Sequence, residues 1–176
     1  MKRRQFLKFG ALGGVAAAGT GLWALSTGAP PGELSLQGAQ RLLAGLEGKE
    51  LFSLEGWSPA EVFNHCAQSI ECSISGYPEL KPGWFRSSVG PLAFSAFAAR
   101  GAMRHPLDEV IPGAALLSEP ASQVLALQRL QQAFADFAVY RGELQPHFAY
   151  GALSHADYAQ AHVLHLYNHL SLIRLA

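Results

Sequence analysis

An all-α fold, a four-helix bundle with one long crossover connection, is what the sequence predicts. Three observations predict it. Apolar residues recur at spacings of three and four along the longest segments, as on the buried face of a helix. No stretch alternates convincingly with period two, so no sheet is expected. A long connection rich in Pro, Gly and aromatic residues follows the second helical segment; such a length means either function or a crossover between parallel neighbours.

Taken in order, residues 1–28 stand apart from the fold. They begin with Lys2, Arg3, Arg4 and Lys8 and continue as an uncharged run rich in Gly and Ala. "RRQFLK" is similar at six consecutive positions to a twin-arginine export signal. The uncharged run is short and transfers poorly into lipid, so a spanning helix is the lesser alternative. The expectation is an exported protein, periplasmic or in the cell envelope, with the twin-arginine export machinery as a partner. No tidy A-x-A cleavage site is present, and an uncut signal would leave a membrane anchor. Residues 29–34 form a linker, and residues 35–176 form the bundle domain.

The first helix is expected from about Leu36 to Leu46, with Ala39, Leu42, Leu43 and Leu46 on its apolar stripe. The second opens at "WSPAEVFNHC". Ser58 is the N-cap, Pro59 suits the first turn, and Glu61 completes a capping box. Trp57, before the cap, is placed to staple against Val62 or Phe63, and the helix should end near Gly76. Within the crossover a short helix is expected from Pro91 to Arg100, stopped by Gly101. Trp84, Phe85, Phe94 and Phe97 there either lid a cavity or simply cover the bundle. A third long helix starts near Pro120, with Val124, Leu127, Leu130, Phe134 and Phe137 as its buried face. After the turn "GELQPHFAYG", Ser154 caps the last helix with Asp157 as acidic partner.

The chain has 13 basic and 13 acidic side chains. Four basic ones lie in the first 28 residues, so the remainder carries 9 against 13, a formal charge of −4. A mildly acidic domain without a basic stripe excludes nucleic acid as the expected partner. Cys66 and Cys72 share one helix and rise about 9 Å relative to each other, too far for a bridge. Cys66 reads as a small core residue.

Three of the chain's seven histidines lie within "AQAHVLHLYNHLS". With His165 set at zero on a helical wheel, His169 falls at about 40° and His162 at about 60°, beside Val163, Leu166 and Leu170. Asp157, Gln160, Asn168, Ser171 and Arg174 occupy the opposite arc. The histidines therefore face the core. A buried imidazole left without a partner costs about 1–3 kcal/mol, so three on one face ask for something that binds them. A divalent metal does so, Zn²⁺ or Ni²⁺ above all, taken by neutral imidazole. His165 and His169, at i and i+4, are the favoured pair. His162 with His165 is the second choice. His65, early in the second helix, is the best third ligand, although its wheel position is at the border of the apolar arc. Three histidines from two helices leave a coordination position open, as catalytic sites do. The bland alternative is a set of core histidines satisfied by hydrogen bonds.

"WSPAEVFNHCAQSIECSISGYP", "KPGWFRSSVGPLAF", "IPGA" and "PHFAYGALSHADYAQAHVLHLYNHL" resemble, in this order and spacing, a branch of the DinB/YfiT-like superfamily that carries only a domain-of-unknown-function label. The resemblance implies an up-down-down-up four-helix bundle. It also implies a divalent metal held by His65, His165 and His169, the last two in an H-x-x-x-H pattern. Relatives include thiol S-transferases and a thiol-dependent isomerase, and many members have no known activity. Leu170 stands where Arg commonly follows the last histidine, which weakens transfer of any specific activity. The twin-arginine route carries folded proteins, often with a cofactor already bound, in keeping with a metal loaded before export.

The resulting expectation is a metal-dependent thiol transferase or hydrolase acting on a small-molecule or thiol substrate. The alternative is a non-catalytic metal-binding or interaction module of the cell envelope. His147, in the turn before the last helix, is first a loop histidine holding that turn and second a pocket-lining proton donor. His155 is expected in solvent and His105 in a loop. Glu61 either caps its helix or orients His65. Ser154 lacks the strained turn of a nucleophile and is read as a cap.

Overall fold

The computed structural model describes residues 33–115 and 122–176. The proposed export signal, most of the linker and the expected helix start near Pro120 lie outside the described residues.

The first helix, α1, spans Leu36–Ala44 and opens where the Ser35 hydroxyl accepts from the Gly38 amide. It is shorter than its apolar stripe suggests, because the chain turns at Gly45 and adopts φ 67° at Gly48, yet Leu46 is still buried. A strand, β1, follows at Leu51–Ser53. It pairs antiparallel with β2, Ile173–Leu175, in the register Leu51 to Leu175, Phe52 to Arg174 and Ser53 to Ile173. The expectation of no sheet is thus corrected. Three-residue strands are too short to display a period of two.

Helix α2 spans Pro59–Ser75 with the full capping box. The Glu61 carboxylate accepts from both the amide and the hydroxyl of Ser58, at 2.7 Å each, so its second expected role, orienting His65, is not the one it fills. The crossover carries α3, Gly83–Arg86, and α4, Val89–Arg100, the latter stopped by Gly101 at φ 65°. Helix α4 begins two residues before the expected Pro91. Of Trp84, Phe85, Phe94 and Phe97 only Phe94 is buried; Trp84 is exposed, and none of the four lines the cavity described below.

Helix α5, Gln123–Val139, is capped by Ser122. Its buried face holds Leu127, Leu130, Phe134 and Phe137, but Val124 is 56% exposed. The apolar stripe simply starts one turn later than its spacing suggests. Helix α6, His155–Leu170, has its capping box from Ser154 and Asp157.

Helix α2 lies along α5, α1 packs on α5 and α6, and α6 touches α2 and α4. The apolar faces of α1, α2, α5 and α6 meet in one core that includes Leu43, Phe63, Ile70, Leu130, Phe134, Phe137, Tyr158 and Leu166. Each such side chain contributes about 1.5–3 kcal/mol on burial. Arg129 bridges α5 to α2 with two hydrogen bonds to Glu71, at 2.9 and 2.7 Å, and one to Asn64 at 3.1 Å. Cys66 and Cys72 are both free and buried. The described chain is mostly helical, in broad agreement with an all-α bundle, with the β1–β2 pair as its addition. No described helix is long and apolar enough to cross a membrane.

Candidate metal centre

The site is assembled where the second turn of α2 faces the last turns of α6. The capping box fixes the start of α2, and Phe63, Cys66 and Ala67 anchor the turn that carries His65. On α6, Leu166 and Leu170 bury the same side of the helix and bring His165 and His169 inward.

The three imidazoles converge. His65 Nε2 stands 3.1 Å from His165 Nε2, and His169 Nε2 stands 3.0 Å from it. Donor atoms of all three lie within 4.8 Å of one another. His65 and His169 are buried and His165 partly so. Ligands about 2.1 Å from one cation lie about 3.0 Å apart at right angles and about 3.4 Å apart in a tetrahedron. The separations of 3.0 and 3.1 Å match that range. The fit is chemical as well: three ring nitrogens able to ligate meet at a common point. The Nδ1 atoms of His65 and His169 have no protein partner among the described residues. Trp57 covers the cluster, stacked on His169 at 5.9 Å and tilted against His65 at 4.9 Å. Trp57 also packs, partly buried, against the core cluster that holds Val62 and Phe63, the residues expected to staple it.

Burial sets the charge state. Desolvation, followed by the repulsion of His105, lowers His65 to about 4. Desolvation, then His65 and His105, lowers His169 to about 2. Desolvation, then His169 and His65, holds His165 well below the ordinary histidine range. All three are neutral near pH 7, the form in which imidazole ligates metal.

The other histidines separate from this group. His162 is buried against Phe137 and Tyr158. The Ser73 hydroxyl donates to the Ile70 carbonyl, so it accepts from His162 Nε2–H at 3.2 Å. His162 thus points to α2 through Ser73, away from the cluster it was second choice to join. His147 holds its turn: its Nδ1 accepts from the Ala149 and Tyr150 amides, both at 3.1 Å, and its ring stacks on Tyr150. Its Nε2 therefore carries the hydrogen. His155 is not simply solvated, as expected; it stacks on Phe137 and donates to the Phe137 carbonyl at the end of α5. His105, read from sequence as a loop residue, is in the crossover loop, but its ring approaches His165 and His169. Neither His105 nor Trp57 belongs to a periodic pattern, so no sequence signal places them at the centre.

A cavity of about 190 Å³ adjoins the cluster, lined by His65, His105, His147, His162, His165 and Tyr150 among others. Its far wall, the turn from His147 to Gly151, is held close to α4. A Cβ on Gly90 would meet the Ala149 carbonyl oxygen at 1.9 Å.

One protein family, described as "Protein of unknown function (DUF1569)", matches residues 34–175. No curated protein and no solved structure matches the chain.

Proposed function

We propose a function from the site itself, since the chain belongs to the DUF1569 family and that family's description names no activity. The protein binds a divalent transition metal, Zn²⁺ or Ni²⁺, through His65, His165 and His169, and presents it to a small molecule in the adjoining cavity. The observation that carries this is the convergence of three neutral Nε2 atoms from two helices at 3.0 and 3.1 Å.

When bound, such a metal supplies Lewis acidity, which lowers the pKa of a thiol or a water molecule. His65 and His165 reach both the cluster and the cavity wall, so they orient the reacting group toward the cavity. His147 offers a hydrogen-bond donor, its Nε2–H, on the opposite side. A thiol transferase or a hydrolase fits these parts. The resemblance to the DinB/YfiT-like superfamily supports the same ligands and an up-down-down-up bundle. The "RRQFLK" motif supports export through the twin-arginine machinery to the periplasm or cell envelope.

One observation favours the second reading, a non-catalytic metal-binding module: the His105 ring stands near the cluster on the cavity side. A ring there would close the coordination shell.

Metal analysis of the purified protein tests the site. The wild type is expected to hold a stoichiometric divalent ion. His165→Ala and His169→Ala are expected to lose it while keeping their helical circular dichroism. Equal metal content in both variants and the wild type would remove the site from this account.

A further inference from the structure

The crossover loop brings a fourth imidazole to the three helical ones. The His105 ring centroid is 5.0 Å from that of His165 and 5.1 Å from that of His169. The separations within the trio are 4.9, 4.7 and 4.7 Å. Rings bound through one nitrogen at about 2.1 Å to a shared cation put their centroids about 4.5–5.3 Å apart, depending on the angle at the metal. Five of the six pairings among the four rings fall in that band; His65 and His105 are not in ring contact.

Chemistry adds a second, independent argument. His105 Nδ1 lies 2.7 Å from the Pro106 carbonyl oxygen. A carbonyl only accepts, so Nδ1 carries the hydrogen and Nε2 is left with a bare lone pair. That Nε2 is buried and has no partner among the described residues. An acceptor in that position is satisfied by a donor or by a cation. The Nδ1–H to backbone carbonyl bond is also the arrangement that fixes the ring of a metal-bound histidine. No proton has to leave His105 for its Nε2 to ligate.

We propose that His105 is a fourth ligand to the cation held by His65, His165 and His169, carried in by the crossover loop on the side facing the cavity. This rests on the three-histidine site proposed above. Its donor atom is outside the group that already lies within 4.8 Å, so the loop moves inward when the metal binds. Any thiol or water from the cavity must then displace His105, and the loop becomes the control on access to the metal.

Titration of the metal-free full chain with Co²⁺, followed in the visible spectrum, tests this. His105→Ala is expected to lose about 10–100-fold in Co²⁺ affinity, the loss typical of a residue supporting a metal site. Its d–d bands should also move to lower energy, as water replaces imidazole, and added free imidazole should restore the wild-type spectrum. If His105→Ala loses helical circular dichroism, His105→Phe keeps the ring volume and is read the same way. An unchanged spectrum in the variant overturns the proposal whether or not affinity falls, because a residue that only shapes the loop would leave the bands in place. If the wild type itself takes up no Co²⁺, or if His165→Ala takes it up equally well, the underlying three-histidine site fails instead.

Discussion

His162 and His165 are one helical turn apart on α6, and both face inward, yet they do different work. His165 meets three other imidazole rings, whereas His162 donates to Ser73 and packs on Phe137 and Tyr158. His162→Ala is therefore expected to destabilise the fold by about 1–3 kcal/mol, the cost of a lost buried hydrogen bond, and to leave metal content unchanged. Denaturant unfolding beside metal analysis checks both halves, and loss of the ion would move His162 into the site. The wheel of α6 was enough to tell that these histidines face the core. It gave no information on which ring finds which partner, because Ser73 and His65 arrive from another helix. His105 and Trp57 were beyond reach for the same reason. Their positions depend on how a loop and a helix lead-in pack, and neither lies in a repeat that a wheel can display.

Among the elements, α2 and α6 were legible to within a residue at their starts, because Ser58–Glu61 and Ser154–Asp157 are local motifs whose hydrogen bonds form within one turn. The start of α5 was less legible, since Val124 extends an apolar spacing without being covered. The strands carry no local signal at all; each exists because the other is there to pair with. The join between α4 and the His147 turn depends on a missing side chain. Gly90 lets the Ala149 carbonyl come so near that any Cβ would collide with backbone. Gly90→Ala should push α4 from that turn, cost about 1–3 kcal/mol as overpacking does, and open the cavity wall. A lower denaturation midpoint is the expected reading, and an unchanged midpoint would show that the turn yields freely.

Over the whole molecule, burying neutral histidines makes stability depend on pH. His147 is lowered to about 3, by desolvation and then His162; His162 is lowered to about 3, by desolvation and then His155. In the unfolded chain both take up protons near the ordinary value of 6.5. Below that value the unfolded state binds more protons than the folded one, so stability is complete above it and is lost as pH falls toward about 3. Each pH unit inside this window removes up to about 1.4 kcal/mol per histidine. Urea midpoints of the chelator-treated protein should fall between about pH 7 and about pH 5, and a level profile would show that the fold admits charge at these positions. The β1–β2 pair bears on the molecule as a whole in another way. Leu54 donates to the Leu172 carbonyl and Ala176 to that of Glu50, so the lead-in to α2 is stitched to the run-out of α6. Segments far apart along the polypeptide are thus tied together, and a fluctuation that unzips this smallest element loosens the anchorage of both helices, and with it the meeting of their three imidazoles, at once.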